Sequence, residues 1–348
     1  MHGFSSLLAR FAGEFVVARH DPRSGAFVFI AIHSTRLGPA SGGTRWRTYE
    51  RPEDALEDSM LLAEAMSRKM AILGLPRGGG KGVIAAPADL GDKEREGVLE
   101  RYGALIESLR GAYGTGPDFG TSSADMDVVR RKTAHVAGCS PARGGSGSSA
   151  PLTALGVFHG IRAAVERALG GSSLGGRKVL VQGVGAVGGA LVSLLAEDGA
   201  EVVATDADPE RLEEFRAKGI ATVAPGDAFD AACDVFAPCA VGGILDEATI
   251  PRLRCRVVAG AANNPLASED GARRLASRGI LYAPDYVINA GGAIALVGLE
   301  QIGWSRDEVV RRVVGIGDTL RAIFDRARER GVTPAEAAEA IALERLAG

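Results

Sequence analysis

Residues 178–206, KVLVQGVGAVGGALVSLLAEDGAEVVATD, decide the fold of this chain. An apolar run at residues 179–181 leads into a glycine-rich turn, a helical segment follows, and a second apolar run ends in Asp206. The turn fits the pattern G-x-G-x-x-G, and its residues are Gly183, Val184, Gly185, Ala186, Val187 and Gly188. This order of strand, glycine turn, helix and strand predicts a βαβ unit.

The same turn is typical of dinucleotide-binding proteins. Glycines allow a tight turn and bring the pyrophosphate close to the helix N-terminus, where backbone N–H groups and the helix dipole favour negative charge. Asp206, about 20 residues further on, would accept hydrogen bonds from the ribose hydroxyls. Thr205 rather than an arginine precedes it, which favours NAD over NADP. The alternative is a glycine-rich turn that binds nothing.

The segments around this unit extend it into a two-domain α/β fold. CDVFAP, RVVAGA and GILYAP, downstream, predict further buried strands of a parallel, doubly wound sheet. The apolar run at residues 27–32 predicts a strand, and Leu56, Met60, Ala63 and Met66 predict a helix that begins near Pro52. A capping box, Thr333 to Glu336, opens a final helix.

A small-residue stretch, ARGGSGSSAP at 142–151, is the predicted hinge between the domains. We therefore expect an N-terminal α/β domain at residues 1–143 for substrate binding and oligomerisation, joined by the C-terminal helix at about 320–348. A Rossmann-type NAD-binding domain would occupy 144–319. The active site is expected in the cleft between the two.

Composition excludes several classes of protein. The 40 basic and 43 acidic residues are mixed along the chain, so no basic stripe offers itself to nucleic acid. The longest apolar stretch, residues 287–299, is too short to span a bilayer, and no secretion signal opens the sequence, which predicts a cytoplasmic protein without membrane contact. Four cysteines show no metal-ligand spacing, so no metal site is expected.

Two lysines stand among apolar residues and glycines. Lys69 lies near the end of the predicted helix, and Lys81 follows three glycines in GLPRGGGKGV. Leu75 and Gly82 exclude a phosphate loop, which needs glycine and Ser or Thr there. A buried lysine with a lowered pKa can serve as a base near neutral pH, whereas an exposed lysine would be a solvated charge. The residues alone leave both interpretations open.

Three carboxylates are candidate partners of such a lysine. Asp118 lies in TGPDFG, and Asp125 and Asp127 lie in ADMD. Physical reasoning from the sequence does not choose among them, since an aspartate after Gly-Pro is commonly a turn residue.

Together these segments resemble the glutamate/leucine/phenylalanine/valine dehydrogenases over essentially the whole chain, and within that family the phenylalanine dehydrogenases most. The segments that carry the resemblance are LGPASGGTR (37–45), MSRKMAILGLPRGGGKGVI (66–84), TGPDFGTSSADMD (115–127), VQGVGAVGG (181–189), CDVFAPCAVGG (233–243), VVAGAANN (257–264) and LYAPDYVINAGGAIALVG (281–298).

The resemblance implies roles for individual residues. Lys69 would hold the substrate α-carboxylate, Lys81 would activate water, and Asp118 would handle its proton, which leaves Asp125 and Asp127 structural. The remaining substrate-binding residues would be Ser41, Gly42, Gly43, Met66, Asn263, Ala293 and Leu296. The remaining cofactor-binding residues would be Ala237, Pro238, Cys239, Ala261, Asn263 and Asn289, besides the glycine turn and Asp206.

The implied reaction is reversible, NAD-dependent oxidative deamination of an apolar L-amino acid to its 2-oxo acid and ammonia, in a homo-oligomer. Glutamate-specific relatives place a lysine where this chain has Ser41, so glutamate is not expected. Ser41, Ala293 and Leu296 favour an aromatic side chain, phenylalanine above all; the alternatives are a branched-chain or a tryptophan-type substrate. Arg77 and Arg68 depart from the family pattern, and we expect Arg77 to face solvent or a subunit contact rather than the substrate.

Two other classes of protein compete with this interpretation. A 2-hydroxy-acid dehydrogenase usually needs a histidine beyond the nucleotide-binding turn, but all five histidines precede it: His2, His20, His33, His135 and His159. A nucleotide sensor without catalysis predicts the loss of Lys69, Lys81 or Asp118, and all three are present.

Overall fold

A computed structural model describes residues 3–348; Met1 and His2, one of the five histidines, lie outside the described residues. The chain divides into two compact units. Among the described residues, the first unit comprises 3–147, 296–305 and 342–348, and the second comprises 148–295 and 306–341. The domain limits expected from the sequence remain a prediction.

The first unit is built on a mixed sheet. Its regular elements are α1 (Phe4–Arg10), β1 (Phe15–His20), β2 (Phe27–Ser34), β3 (Ala40–Ser41), β4 (Thr44–Arg47), α2 (Pro52–Ile72), β5 (Gly78–Ala85), α3 (Asp92–Ser108), β6 (Tyr113–Gly114), α4 (Ser123–Arg130) and a 3₁₀ turn (Pro141–Arg143). The strand order is β1-β2-β5-β3-β6, with β4 also paired to β5. β2 lies antiparallel to β1 and β5, whereas β3 and β4 run parallel to β5.

The predicted strand at 27–32 and the helix that begins at Pro52 are confirmed. The proline occupies the first turn of α2, and Leu56, Met60 and Ala63 are buried. This helix packs against the start of β5. A Cβ placed on Gly79 would lie 2.1 Å from the backbone nitrogen of Ser67, so glycine is what lets the helix approach the strand.

The second unit has the predicted doubly wound architecture. Its elements up to residue 288 are α5 (Ala150–Leu169), β7 (Lys178–Gln182), α6 (Ala186–Glu197), β8 (Glu201–Thr205), α7 (Pro209–Ala217), β9 (Ala221–Thr222), a 3₁₀ turn (Pro225–Asp227), β10 (Val235–Pro238), a 3₁₀ turn (Ile250–Arg252), β11 (Val257–Val258), α8 (Gly271–Ser277), β12 (Leu281–Tyr282) and α9 (Asp285–Ile288). The strand order is β12-β11-β10-β7-β8-β9, and every pairing is parallel. Successive strands are added on one side from β7 to β9 and on the other side from β10 to β12. The point between β7 and β10, where this order switches, is where such sheets bind nucleotides.

The C-terminal segment is helical. Its elements are α10 (Gly291–Leu296), a π-helical turn (Val297–Ile302), α11 (Arg306–Val314), α12 (Ile316–Arg330) and α13 (Pro334–Ala347). The predicted capping box is confirmed: the backbone N–H of Thr333 donates to Glu336 Oε2 (2.8 Å), and the N–H of Glu336 donates to Thr333 Oγ1 (3.3 Å). Within residues 3–348, none of the helices combines the length and the apolar character needed to cross a membrane.

Candidate active site

Lys81 and Asp118 form an ion pair in the first unit. Lys81 lies in the middle of β5 and is only 5% exposed, while Asp118 lies in the loop after β6. Lys81 Nζ donates to Asp118 Oδ2 over 2.7 Å. The structure thus buries a lysine whose exposure the sequence left open, and it places one of the three candidate carboxylates against it.

Two glycines make room for this pair. A Cβ on Gly43 would lie 2.9 Å from Asp118 Cβ and 2.8 Å from the carbonyl oxygen of Pro117. A Cβ on Gly42 would overlap the carbonyl oxygen of Gly80 and lie 3.4 Å from Met66 Cγ. Any side chain at position 42 or 43 would therefore push the chain away from β5 and from Asp118.

The charges of the pair are set by burial and by each other. Burial lowers the pKa of Lys81 below its ordinary value, and Asp118, which favours the charged amine, offsets only part of this effect. Burial alone would raise the pKa of Asp118, but Lys81 and Arg45 together hold it below its usual value. Asp118 is thus a carboxylate in the resting site, and Lys81 loses its proton more readily than an exposed lysine does.

Arg45 is a third member of the site that the sequence did not single out. Its Nε donates to Asp118 Oδ2 (3.3 Å), the same oxygen that Lys81 uses, and its Nη1 donates to Asp58 Oδ2 (3.0 Å). Tyr49 also donates to Asp58 Oδ2 (2.5 Å). The feature of the sequence that could have pointed to Arg45 is its position two residues after the pair Gly42 and Gly43. This position puts it on β4 beside β5.

Lys69 and Met66 lie on the last turns of α2. They are three residues apart and therefore share one face of the helix, and both are half-buried. Met66 reaches Gly42, so this face of α2 lies over the glycines beside the Lys81–Asp118 pair. Arg68, between Met66 and Lys69 in sequence, donates to Glu64 Oε1 over 2.6 Å and forms an ion pair with this residue one turn earlier in the helix.

The other two aspartates have structural contacts. Asp125 completes a capping box with Ser122 at the start of α4 and accepts from Arg95 Nε over 3.0 Å. Asp127 Oδ1 accepts from the backbone N–H of Ser140 over 2.9 Å. Neither of these contacts involves Lys81.

Ser41 and Leu296 adjoin the C-terminal π-helical turn. Ser41 is buried, and its Oγ donates to Gln301 Oε1 over 2.9 Å. The side chain of Leu296 lies over Gly116, 3.1 Å from a Cβ placed there. Ala293, in α10, is half-buried and belongs to the second unit.

Arg77, which we expected to face solvent or a subunit contact, is partly exposed. It is half-buried, and its Nη2 donates to the backbone carbonyl of Gln301. The π-helical turn leaves the carbonyl of Gln301 beside the start of β5, where this long guanidinium reaches it. The contact lies within the first unit.

In the second unit, the glycine turn connects β7 to α6 as predicted. Gly183 has a φ of +94°, which favours glycine, and a Cβ on Gly188 would lie 1.9 Å from the carbonyl oxygen of Gly183. A Cβ on Gly185 would meet only Arg211 Nη1, at 3.8 Å, so space is open above the turn. Ala186 and Val187 form the first turn of α6. This cradle fits a dinucleotide pyrophosphate.

Asp206 follows β8 at the same edge of the sheet. Its Oδ2 accepts from the backbone N–H of Val184 (2.7 Å), and its Oδ1 accepts from the N–H of Asp208 (2.9 Å). Arg211 lies 3.9 Å away. The carboxylate is thus fixed next to the glycine turn, where a ribose hydroxyl would reach it.

The remaining cofactor candidates follow the neighbouring strands. Ala237 and Pro238 end β10, and Cys239, whose burial raises the pKa of its thiol to about 12, comes next. Asn289, directly after α9, donates through Nδ2 to Asn263 Oδ1 (2.7 Å) and to the carbonyl of Ala261 (3.3 Å), both of which follow β11. The Asn263–Asn289 pair and the residues that follow β10 thus lie beyond the carboxyl ends of the parallel strands, where sheets of this type bind nucleotides.

Comparisons with known proteins agree with this geometry. Residues 17–135 match the model of the Glu/Leu/Phe/Val dehydrogenase dimerisation domain, and residues 144–209 and 206–348 match that of the Glutamate/Leucine/Phenylalanine/Valine dehydrogenases. The chain is 47% identical to a valine dehydrogenase of Streptomyces virginiae over 96% of this chain and 93% of the relative, and 42% identical to a leucine dehydrogenase of Thermoactinomyces intermedius over 96% and 90%. The solved L-tryptophan dehydrogenase of Nostoc punctiforme superposes with a TM-score of 0.88 at 40% identity, over 98% of this chain and 97% of that one. The chain belongs to the glutamate/leucine/phenylalanine/valine dehydrogenase family.

Proposed function

We propose that this chain catalyses the oxidative deamination of an aromatic L-amino acid, with L-phenylalanine as its best simple substrate. The chain is an amino-acid dehydrogenase, and its cofactor is NAD. The single observation that carries the proposed mechanism is the buried Lys81–Asp118 pair, because it combines a lysine of lowered pKa with a carboxylate that can take or return a proton.

The chain's own residues would share the chemistry as follows. When bound, NAD accepts a hydride from the substrate Cα. Lys69, as an ammonium, would hold the substrate carboxylate, while Lys81 in its neutral form would take a proton from the water that adds to the Cα of the iminium. Asp118, 2.7 Å from Lys81 Nζ, would accept that proton and later return it as ammonia leaves. Two lysines in unlike surroundings can hold different protonation states at one pH.

The cofactor would be held by the second unit. The glycine turn at residues 183–188 would bind the pyrophosphate, and Asp206 the ribose hydroxyls. Asn263 and Asn289, already hydrogen-bonded to each other, would orient the nicotinamide carboxamide. Ala237, Pro238, Cys239 and Ala261 would line the same edge of the sheet.

Three features support an apolar, aromatic substrate. Ser41 carries no charge to pair with the side-chain carboxylate of glutamate. The segment beside Ser41 contains Gly114 and Gly116, which have no side chains and therefore leave room for the side chain of a substrate. Leu296 covers Gly116 and gives this space an apolar wall.

A branched-chain substrate is the second candidate, because the valine and leucine dehydrogenases named above are 47% and 42% identical to this chain. One assay separates the candidates: NADH formation by the purified chain with L-phenylalanine, L-tryptophan, L-leucine, L-valine and L-glutamate, each with NAD and with NADP. We expect kcat/KM for phenylalanine to exceed that for leucine and valine, and no turnover of glutamate. A preference for valine or leucine would replace the aromatic proposal with the branched-chain one.

Arg45 gives a prediction about pH. Its positive charge disfavours the ammonium form of Lys81, so replacing it with methionine raises the pKa of Lys81. Asp58, left without Arg45, acts in the same direction. Because the neutral amine is the reactive form, the acid limb of the kcat/KM profile of Arg45→Met moves to higher pH, and activity near neutral pH falls on the order of tenfold.

The control for this variant is Arg45→Lys, which keeps a positive charge at the site. We expect its acid limb to stay close to that of the parent protein. If the acid limb of the Arg45→Met profile did not move, Arg45 would have no influence on the pKa of Lys81.

Assembly and location are proposed on the sequence alone. We propose that the chain forms a homo-oligomer through its first unit and works in the cytoplasm. Size-exclusion chromatography with light scattering measures the first of these directly.

A further inference from the structure

The π-helical turn at residues 297–302 brings one glutamine into the first unit. Gln301 is held from two sides: its side-chain Oε1 accepts from Ser41 Oγ over 2.9 Å, and its backbone carbonyl accepts from Arg77 Nη2. The neighbouring Glu300 accepts from the backbone N–H groups of Gly138 (2.7 Å) and Ser146 (2.8 Å). The turn is thus held at Glu300 and at Gln301, and the hydrogen bond from Ser41 orients the glutamine side chain.

Gln301 stands at the end of a row that begins at the catalytic pair. Gly114, Gly116 and Asp118 alternate along an extended segment, so they face the same side at intervals of about 6.6 Å. Leu296 lies against Gly116, and the amide of Gln301 lies 3.4–3.6 Å from a Cβ placed on Gly114. The row therefore starts at Asp118, passes the apolar side chain of Leu296 and ends at the polar amide of Gln301.

The neighbouring strands agree with this direction. Ser41 pairs with Gly79 on one side and with Gly114 on the other. Gly79 and Lys81 alternate on β5, which puts Ser41 on the same face of the sheet as the catalytic lysine. Ser41 and its partner Gln301 thus lie on the same face of the sheet as Lys81. Ser41 is level with Gly79, which precedes Lys81 by two residues on β5.

The chemistry of this polar end suits a hydroxyl group. Ser41 uses its proton toward Gln301 Oε1, which leaves its oxygen lone pairs as acceptors. The Nε2 of Gln301 is a donor and takes no part in the bond to Ser41 or to Arg77. A phenol can donate to the serine oxygen and accept from the amide at the same time. The Ser41 hydroxyl and the Gln301 side-chain amide are themselves both neutral.

We propose that Gln301 is a specificity-determining residue, which together with Ser41 recognises a hydroxyl at the far edge of an aromatic substrate ring. The proposal rests on the proposed function, since it assumes that the amino acid is bound at Lys81 and Asp118. It adds a substrate class, the phenolic amino acids, to phenylalanine itself.

The experiment compares two substrates of equal size. L-Tyrosine and 4-methyl-L-phenylalanine differ in a hydroxyl against a methyl group at the same ring position. For the parent protein we expect kcat/KM for tyrosine to exceed that for the methyl analogue at least tenfold, because a site built to bind a hydroxyl rejects an analogue that leaves its polar groups unpaired. In Gln301→Leu and in Ser41→Ala this ratio should fall toward one or below.

The ratio cancels any loss that a variant suffers with both substrates alike. Ser24→Ala is the matched control, since this serine binds Asp21 in the turn after β1 and should leave the ratio unchanged. A parent protein that does not distinguish the two substrates, or a ratio that persists in Gln301→Leu, would overturn the proposal while phenylalanine turnover upheld the function. Absence of turnover with every amino acid would instead refute the proposed function.

Discussion

Replacing Lys81 with alanine lowers kcat for deamination of L-phenylalanine by about a thousandfold or more, while binding of NAD persists. The loss follows from removing the group that takes the proton of the attacking water, since a positioned general base contributes about 10²- to 10⁴-fold. NAD binding persists because its proposed ligands lie in the second unit. Stopped-flow or steady-state NADH formation measures the first effect, and quenching of protein fluorescence by NADH measures the second.

The matched control is Lys93→Ala, an exposed lysine in α3. It removes the same charge from the same unit and should leave kcat within about twofold of the parent value, as surface substitutions usually do. If Lys81→Ala turned over phenylalanine near the parent rate, another group would have to be the base.

Replacing Asp118 with asparagine lowers kcat by about a hundredfold or more, because the amide can neither accept the proton of Lys81 nor hold the amine by a charged hydrogen bond. The same change removes a negative charge that favours the ammonium of Lys81, so the pKa of Lys81 falls further. The acid limb of the residual kcat/KM profile therefore moves to lower pH. This direction is opposite to that of Arg45→Met.

Asp89→Asn, at an exposed position between β5 and α3, is the control for the loss of one carboxylate. Its rate and its pH profile should match those of the parent protein. A normal rate in Asp118→Asn would reduce Asp118 to a structural partner of Lys81, and a shift of its acid limb to higher pH would contradict the electrostatics described here.

The parts of the fold that were predictable are those set by local sequence. The run from Lys178 to Asp206 contains a strand, the glycine turn, a helix and a second strand in order, and the structure has the strand, helix and second strand as β7, α6 and β8. Pro52 and the Thr333–Glu336 capping box likewise fixed helix starts, since each acts within one turn of its own helix.

The site could be predicted only in part, because its geometry joins distant segments. Physical reasoning left Lys81 between a solvated charge and a buried base, and the structure buries it because glycines on β5 and at residues 42–43 let neighbouring segments close over the strand. No local pattern distinguishes Asp118 from Asp125, whose roles depend on what they meet in the folded chain.

Gln301 was missed for the same reason, and Arg45 was missed because its contact with Asp118 spans 73 residues. The hydrogen bond between Ser41 and Gln301 spans 260 residues, and the contact of Arg77 with the carbonyl of Gln301 spans 224. Such pairs depend on the C-terminal turn returning to the first unit, which no pattern of hydrophobic periodicity predicts.

The central claim is that a neutral amine at position 81 carries out the proton transfer. The most direct test is the pH dependence of kcat/KM for L-phenylalanine, measured from mildly acidic to strongly alkaline conditions in the parent protein. The claim predicts a rate that rises with pH as Lys81 loses its proton and then levels off. A rate that stays flat from neutral to strongly alkaline pH would contradict it.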